Sequence, residues 1–211
     1  MARKTKEEAQ ETCNALLDAA EQVFCVKGVT NTTLNEVAKE AGMTRGAIYW
    51  HFKDKNALFE AMCDRAFLPI ETLLNEITST PPEDPFAALR QLYVHMLKEV
   101  ASSPRQTNVF NIIFHRCEKG TEMSSYAHEK EPRNECISKM EDIFKVAIAQ
   151  KKLPAETDTW IAVQMIHSYS IGLIYEWLVD TKAYDLAKHA EYMIEVMLAG
   201  ILAKPPLKKL S

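Results

Sequence analysis

Glycine is scarce here: six residues in a chain of 211. Too few glycines remain for a collagen-like or loop-dominated chain. Long apolar runs are missing as well. The longest uncharged stretch, Thr159 to Tyr175, contains Gln164, His167 and two serines, and is shorter than the ~20 apolar residues a membrane span needs. The opening Met-Ala-Arg-Lys-Thr-Lys-Glu-Glu holds no apolar core of a secretory signal, so the expected compartment is the cytoplasm, with no membrane partner. The five cysteines (Cys13, Cys25, Cys63, Cys117, Cys136) are odd in number, scattered, and form no Cys-x-x-Cys pair. A disulfide scaffold and a thiolate metal site are excluded, and the cysteines read as reduced, mostly buried small hydrophobes. Surplus positive charge is absent too: 25 basic against 29 acidic residues give −4, which for the whole chain argues against a nucleic-acid partner. No strand-like alternation and no internal repeat is found.

What is present is a 47% hydrophobic composition, enough for a real core, with apolar residues at helical spacing. The expected fold class is all-α with nine helices. The first runs from about Glu7 to Lys27, with Ala9, Cys13, Leu16, Leu17, Ala20 and Phe24 on one face, and Gly28 is placed to end it in a left-handed cap. Thr33-Leu-Asn-Glu36 is a capping box that opens a short helix to about Ala41. Gly42-Met-Thr then turns the chain, and Thr44 opens another short helix through Tyr49 or Trp50. Asp54 can cap a helix from about Lys55 to Thr78, which Pro69 should kink or break near Leu68. Further helices are expected over about 85–101 (capped by Asp84 and Pro85), 104–119 (stopped by Gly120), 122–151 (interrupted by Pro132), 158–179 and 185–203. The expected domains are 1–55 and 56–211.

Two short helices joined by a glycine-containing turn within 33–51 fit a helix-turn-helix, whose second helix presents its N-terminal residues to base edges in the major groove. Thr44, Arg45 and Gly46 stand where those contacts fall: Arg45 can pair with a guanine, and Gly46 lets backbone approach closely. Thr33 and the amides behind it are placed for a phosphate, and Tyr49, His51 and Lys55 cluster where phosphate contacts are natural. From the pattern alone DNA binding is one reading among others, because helix pairs with glycine turns occur in many helical proteins. Tyr49, Trp50 and Phe52 equally fit core aromatics.

The stretch Thr32-Thr-Leu-Asn-Glu-Val-Ala-Lys-Glu-Ala-Gly-Met-Thr-Arg-Gly-Ala-Ile-Tyr-Trp-His-Phe-Lys-Asp-Lys55 resembles the DNA-binding signature of the TetR family of one-component repressors. The likeness is closer still to the AcrR-like branch, which controls multidrug efflux operons. The opening twelve residues, His115-Arg-Cys-Glu118 and Gly172-Leu-Ile-Tyr-Glu-Trp-Leu178 resemble that branch as well. One departure is Cys13, where the branch usually carries Arg. The resemblance implies a homodimer on a double-stranded, palindromic DNA operator, released by small apolar or aromatic, antibiotic-like inducers, with no cofactor and no metal.

Where the charges sit changes what the net charge of −4 implies. Residues 1–55 hold eight basic and eight acidic residues, so the deficit belongs to the rest. Arg3, Lys4 and Lys6 form a basic arm able to reach phosphates or a minor groove. A modest basic patch on an acidic body should bind DNA with strong salt sensitivity.

The segment 158–179 is apolar on two faces: Ile161, Met165, Ser168, Gly172, Tyr175 and Val179 form one seam, and Val163, Ile166, Ser170, Ile174 and Trp177 another. One can face the core and the other a partner subunit, or both can be core. The last helix offers Met193, Val196, Met197, Gly200 and Ile201 on one face. The resemblance implies that these two helices pair with their two-fold mates, making Met165, Ser168, Gly172, Met193, Val196, Met197 and Gly200 the expected dimer interface. Middle helices rich in Met and aromatics, among them Tyr93, Met140 and Phe144, read as core by pattern. By resemblance they line an apolar multidrug cavity, with Phe67, Ile70, Leu92, Met96, Phe110, Asn111, Ile113, Phe114, His167, Ser170, Ile171 and Ile174 as expected ligand contacts. Some branch members carry an acid at the position of Phe67. The inferred mechanism is a ligand that favours one conformer, moves the 55–78 helix and respaces the recognition helices, a coupling of ~1–3 kcal/mol. An alternative signal is oxidation at Cys13 or Cys63, or an endogenous metabolite. Enzyme chemistry is not expected: His115 and Cys117 are two apart on a predicted helix and point to different faces, and no phosphate loop, zinc spacing or nucleophile elbow occurs.

Overall fold

The computed structural model describes residues 6–117 and 131–208. Within them the chain forms nine α-helices: α1 (Lys6–Lys27), α2 (Leu34–Glu40), α3 (Arg45–His51), α4 (Lys55–Thr78), α5 (Pro85–Ser102), α6 (Pro104–Asn111), α7 (Glu131–Ala149), α8 (Thr159–Val179) and α9 (Leu186–Ala203). Extended pairing among the described residues is limited to one isolated antiparallel bridge, Thr157 with Leu207. No described helix is long and apolar enough to cross a membrane.

The fold differs from the sequence expectation at two helices. α4 continues through Pro69 without a break, although the proline supplies no amide hydrogen for the Arg65 carbonyl. The helix expected over 104–119 changes register: α6 ends at Asn111, Ile112–Arg116 form a π turn, and Cys117 is already extended. Lys119, Gly120 and the expected start of the next helix near 122 lie outside the described residues. α7 begins at Glu131, so Pro132 stands in its first turn, and the expected helix before it lies outside the described residues.

The chain packs as two compact units. The described residues of the first lie within Met1–Phe67 and Thr107–His128, and those of the second within Leu68–Gln106 and Glu129–Ser211. The first unit therefore extends past residue 55. The reason is burial: Leu58, Phe59, Met62, Cys63 and Ala66 of α4, with Val109 and Ile112, complete the same core as Leu16, Phe24, Val37 and Ile48. Short helices such as α2 and α3 have too little apolar surface to hold together alone.

In the first unit, Gly28 closes α1 with φ +79° and a hydrogen bond from its N–H to the Phe24 carbonyl. The same glycine is crowded, since a β-carbon there would stand 3.3 Å from the Arg116 carbonyl oxygen. Gly42, in the α2–α3 turn, also has positive φ (+65°) but open space around it. Gly28→Ala is therefore expected to destabilise the protein by more than about 1 kcal/mol, and by more than Gly42→Ala. Urea midpoints of the two variants against wild type check this order.

α1 and α4 are also joined by charge. Arg65 Nη2 lies 2.8 Å from Asp18 and 2.5 Å from the buried Glu21, and Nη1 donates to the Asn14 carbonyl at 3.2 Å.

In the second unit α5 packs on α9, and α7 lies against α5 and α8. Tyr93, fully buried, donates its hydroxyl to Met140 Sδ at 2.9 Å, and burial pushes its phenol pKa up. Asp84, Asp158 and Asp185 cap α5, α8 and α9 through backbone amides. The segment after α9 folds back on the start of α8: Asp158 N–H donates to the Pro206 carbonyl and Lys208 N–H to that of Glu156.

Candidate functional site

α3 begins at Thr44, whose hydroxyl oxygen accepts from Ala47 N–H at 3.2 Å. Seven residues give barely two turns, so few side chains can be inward. Ile48 and Phe52, four apart, take those positions and are buried at 0% and 5% exposure. Thr44, Arg45 and Gly46, expected to read bases, and Tyr49, expected at a phosphate, are all left outward and exposed. The Arg45 guanidinium sits 5.3 Å above the Tyr49 ring. A β-carbon at Gly46 would meet only the Thr44 hydroxyl, at 3.9 Å, so α3 itself does not require the glycine. His51 is half-buried with its ring 4.5 Å edge-on to that of Trp50.

Trp50 belongs to this face although the sequence pattern did not single it out. It is 72% exposed beside Tyr49, whereas Phe52 is the core aromatic. The inward spacing of Ile48 and Phe52 was the available signal.

Thr33 caps α2 in a complete capping box. Its N–H and hydroxyl both donate to Glu36 Oε2, at 2.8 and 2.9 Å, and Glu36 N–H donates back at 3.3 Å. Lys27 Nζ adds a bond to Glu36 Oε1 at 2.6 Å. The Lys27 and Thr33 hydrogen bonds hold the Glu36 carboxyl at a pKa of about 2. The carboxylate thus accepts from both the amide and the hydroxyl of Thr33 at the start of α2.

Lys55, at the start of α4, turns its Nζ toward the α1–α2 turn, donating to the carbonyls of Val29, Thr30 and Thr32 at 2.7, 2.9 and 2.9 Å. Lys6 is exposed at the start of α1, while Arg3 and Lys4 lie outside the described residues.

The expected ligand contacts fall into two groups, one in each unit. In the first, Phe67, Phe110 and Phe114 form an aromatic string with ring centroids 5.4 and 5.7 Å apart. Phe110 is buried; Phe67, Asn111, Ile113 and Phe114 are half-buried. In the second, Leu92, Met96, Ser170 and Ile174 are buried in the core, and Ile70, His167 and Ile171 are half-buried. Ser170 donates its hydroxyl to the Ile166 carbonyl at 2.8 Å, so it can offer a ligand only acceptor lone pairs.

The two seams of α8 separate cleanly. Val163, Ile166, Ser170, Ile174 and Trp177 are buried; Ile161, Met165, Ser168, Gly172, Tyr175 and Val179 are exposed. On α9, Val196 and Gly200 are exposed, Met193 and Met197 half-buried, and Ile201 is core. Between the exposed seams runs an open groove of about 320 Å³ lined by Met165, Tyr169, Val196, Met197, Gly200, Ile201 and Lys204. This is the apolar surface expected to form the dimer interface.

Four of the five cysteines are drawn away from solvent or from the thiolate form. Cys63 is fully buried, and burial pushes the thiols of Cys13, Cys25 and Cys136 up, away from the reactive thiolate.

Comparison with known proteins agrees with this architecture. Residues 16–62 match the family described as bacterial regulatory proteins, tetR family, and residues 84–202 match the C-terminal region of MAATS-type transcriptional repressors. The HTH-type transcriptional regulator AcrR of Shigella flexneri is 39% identical over 211 residues, spanning 99% of this chain and 97% of the relative. NalD, the secondary repressor of the MexAB-OprM multidrug efflux pump in Pseudomonas aeruginosa, is 30% identical with a TM-score of 0.76, covering 92% of this chain and 98% of its own. The SmeT–triclosan complex matches with a TM-score of 0.80 at 27% identity, covering 90% and 91% of the two chains. With a helix-turn-helix reader at one end of the sequence and a repressor-type helical region over most of the remainder, the chain belongs to the TetR family of bacterial transcriptional repressors and is similar to the regulators of multidrug efflux pumps.

Proposed function

We propose that this protein is a ligand-responsive repressor of a multidrug efflux pump operon, bound as a homodimer to a palindromic operator and released by apolar or aromatic drug-like inducers. The observation that carries the reading is the outward set Thr44, Arg45, Gly46 and Tyr49 around the start of α3, held by buried Ile48 and Phe52. Trp50 and His51 extend that face, and Lys6 with the preceding Arg3 and Lys4 adds charge. Residues 1–55 serve as the reader and 56–211 as the ligand-binding and dimerisation region.

The exposed seam of Met165, Ser168, Gly172, Val196 and Gly200 supports the dimer, since two-fold pairing buries the same face on both copies. The aromatic string Phe67–Phe110–Phe114 supports an apolar inducer, as does the similarity to SmeT in its complex with triclosan. Repression of an efflux operon is supported by the similarity to NalD.

A gel-shift with the intergenic DNA beside the protein's own gene tests the proposal. Retardation is expected to weaken steeply between 50 and 200 mM salt, on the order of a thousandfold for about six phosphate contacts. Triclosan or another apolar aromatic should release the DNA roughly 5- to 150-fold. Absence of salt-sensitive retardation with and without ligand refutes it.

A further inference from the structure

Three buried side chains of the second unit give their hydrogens to main-chain oxygens. Ser170 donates to the Ile166 carbonyl at 2.8 Å, Thr157 to that of Pro154 at 2.8 Å, and Trp177 Nε1 to that of Tyr184 at 3.2 Å. Tyr93 departs from this pattern. It stands on the buried face of α5 with Leu89, Met96 and Leu97, and its hydroxyl donates to the Met140 thioether at 2.9 Å. A thioether sulfur is a weak acceptor, so this hydroxyl has the poorest partner of the four. A buried hydroxyl that is weakly bonded carries a desolvation cost which a stronger acceptor would offset.

We propose that Tyr93 is a specificity-determining residue of the inducer site, the donor that selects apolar aromatic ligands carrying an oxygen acceptor such as a carbonyl. The proposal rests on the apolar-inducer reading above and narrows its ligand class. Leu92 and Met96, two of the residues expected to meet the ligand, lie beside Tyr93 on α5. A ligand oxygen takes the place of the Met140 sulfur on the Tyr93 hydroxyl, and the methionine side chain swings aside. Met96 and Met140 are unbranched and turn about three side-chain bonds, so both can repack around an incoming ring. Phe144, one turn after Met140 on α7, is packed edge-on against Phe86 with ring centroids 6.5 Å apart. The adjustment therefore falls on the methionines rather than on this aromatic pair.

The state of the phenol fixes which ligands it favours. Burial pushes the Tyr93 pKa up, so the group keeps its proton near neutral pH and acts as a donor. A neutral donor in an apolar wall favours a ligand lone pair and offers nothing to a hydrocarbon of the same shape. Exchanging a thioether for a carbonyl is worth at most one ordinary hydrogen bond, which sets the discrimination at roughly two- to tenfold. Phenylalanine at this position keeps the ring and removes only the donor.

Benzophenone and diphenylmethane are the probes, since they differ only by a carbonyl against a methylene between the same two rings. Their binding to full-length wild type, Tyr93→Phe and Met140→Leu is measured by equilibrium dialysis. Infrared difference spectra follow the carbonyl band of bound benzophenone. The ratio of benzophenone to diphenylmethane affinity is expected to fall roughly two- to tenfold in Tyr93→Phe. The carbonyl band should lie lower in wild type than in Tyr93→Phe, as a hydrogen-bonded carbonyl does. An unchanged ratio overturns the proposal, and so does a band at the same position in both proteins. If Tyr93→Phe does not fold, Met140→Leu decides. Its ratio should rise above that of wild type, because the carbonyl no longer displaces a bonded sulfur, and an equal or lower ratio overturns the proposal. If neither compound nor triclosan binds wild type, the apolar-inducer reading has failed and this proposal with it. Binding of both compounds with a ratio indifferent to Tyr93 overturns this proposal alone.

Discussion

Arg65→Met is expected to lower the unfolding free energy by about 3–5 kcal/mol, the range for removing one partner of a buried ion pair. The decisive group is not the arginine but Glu21. Its carboxylate lies on the inward side of α1 at 6% exposure, and Arg65 Nη2 stands 2.5 Å from it. Methionine preserves most of the stem volume of Arg65 and none of its donors, which leaves a buried carboxylate to be neutralised or hydrated at the expense of the α1–α4 packing. Asp18 contributes less, because half of its side chain is in water and such pairs are worth little. The bond to the Asn14 carbonyl is lost as well. Urea unfolding followed by circular dichroism reads the effect. The double variant Glu21→Leu with Arg65→Met should recover most of the loss, since replacing a buried pair by apolar side chains is often neutral. A single variant within about 1 kcal/mol of wild type would show that Glu21 is adequately hydrated in solution and that the pair does not hold α1 to α4.

Arg45→Ala is expected to weaken operator binding by about 1–3 kcal/mol, roughly five- to 150-fold, and to abolish discrimination at one base pair. Arg45 is the first residue of α3 and is exposed, so its fork is available to a guanine edge. In the free protein its guanidinium rests 5.3 Å above the Tyr49 ring. That contact is worth about 0.5–1 kcal/mol at an exposed site, small enough to be given up on binding yet sufficient to restrict the side chain beforehand. The check is a set of operator duplexes in which each guanine pair is replaced in turn. Wild type should show one position whose replacement costs about as much as Arg45→Ala, and the variant should be indifferent at that position. A variant that loses affinity equally for all duplexes, with a shallower salt dependence, would instead identify Arg45 as a phosphate contact.

The helical architecture was legible because each element carries its own start and stop signals. Thr33 with Glu36, Thr44, Asp54 and Asp84 stand as caps, and Gly28 and Gly42 adopt positive φ, as local chemistry requires. The outward set of α3 was legible for the same reason, since a seven-residue helix has only one choice of inward face. The partition of α8 into a buried and an exposed seam also followed from spacing, although which seam would be inside did not. Local rules gave no access to the π turn at Ile112–Arg116, where Ile112 is part of the first unit's core.

Lys55 and Glu21 show the same limit from the side of charge. Both look like ordinary solvated residues in the sequence: one beside a basic recognition helix, the other within an acidic stretch of α1. Three carbonyls 23 to 26 residues earlier take the ammonium of the first, and an arginine 44 residues later takes the carboxylate of the second. The sequence by itself determined the helices, their caps, the reader and the family, because those depend on neighbours within a turn or two of chain. Tertiary structure alone decided which charges are exposed and which are held by hydrogen bonds and ion pairs within the first unit. Hydrogen-bond donors are few and directional, and only the folded chain shows which of them already have partners.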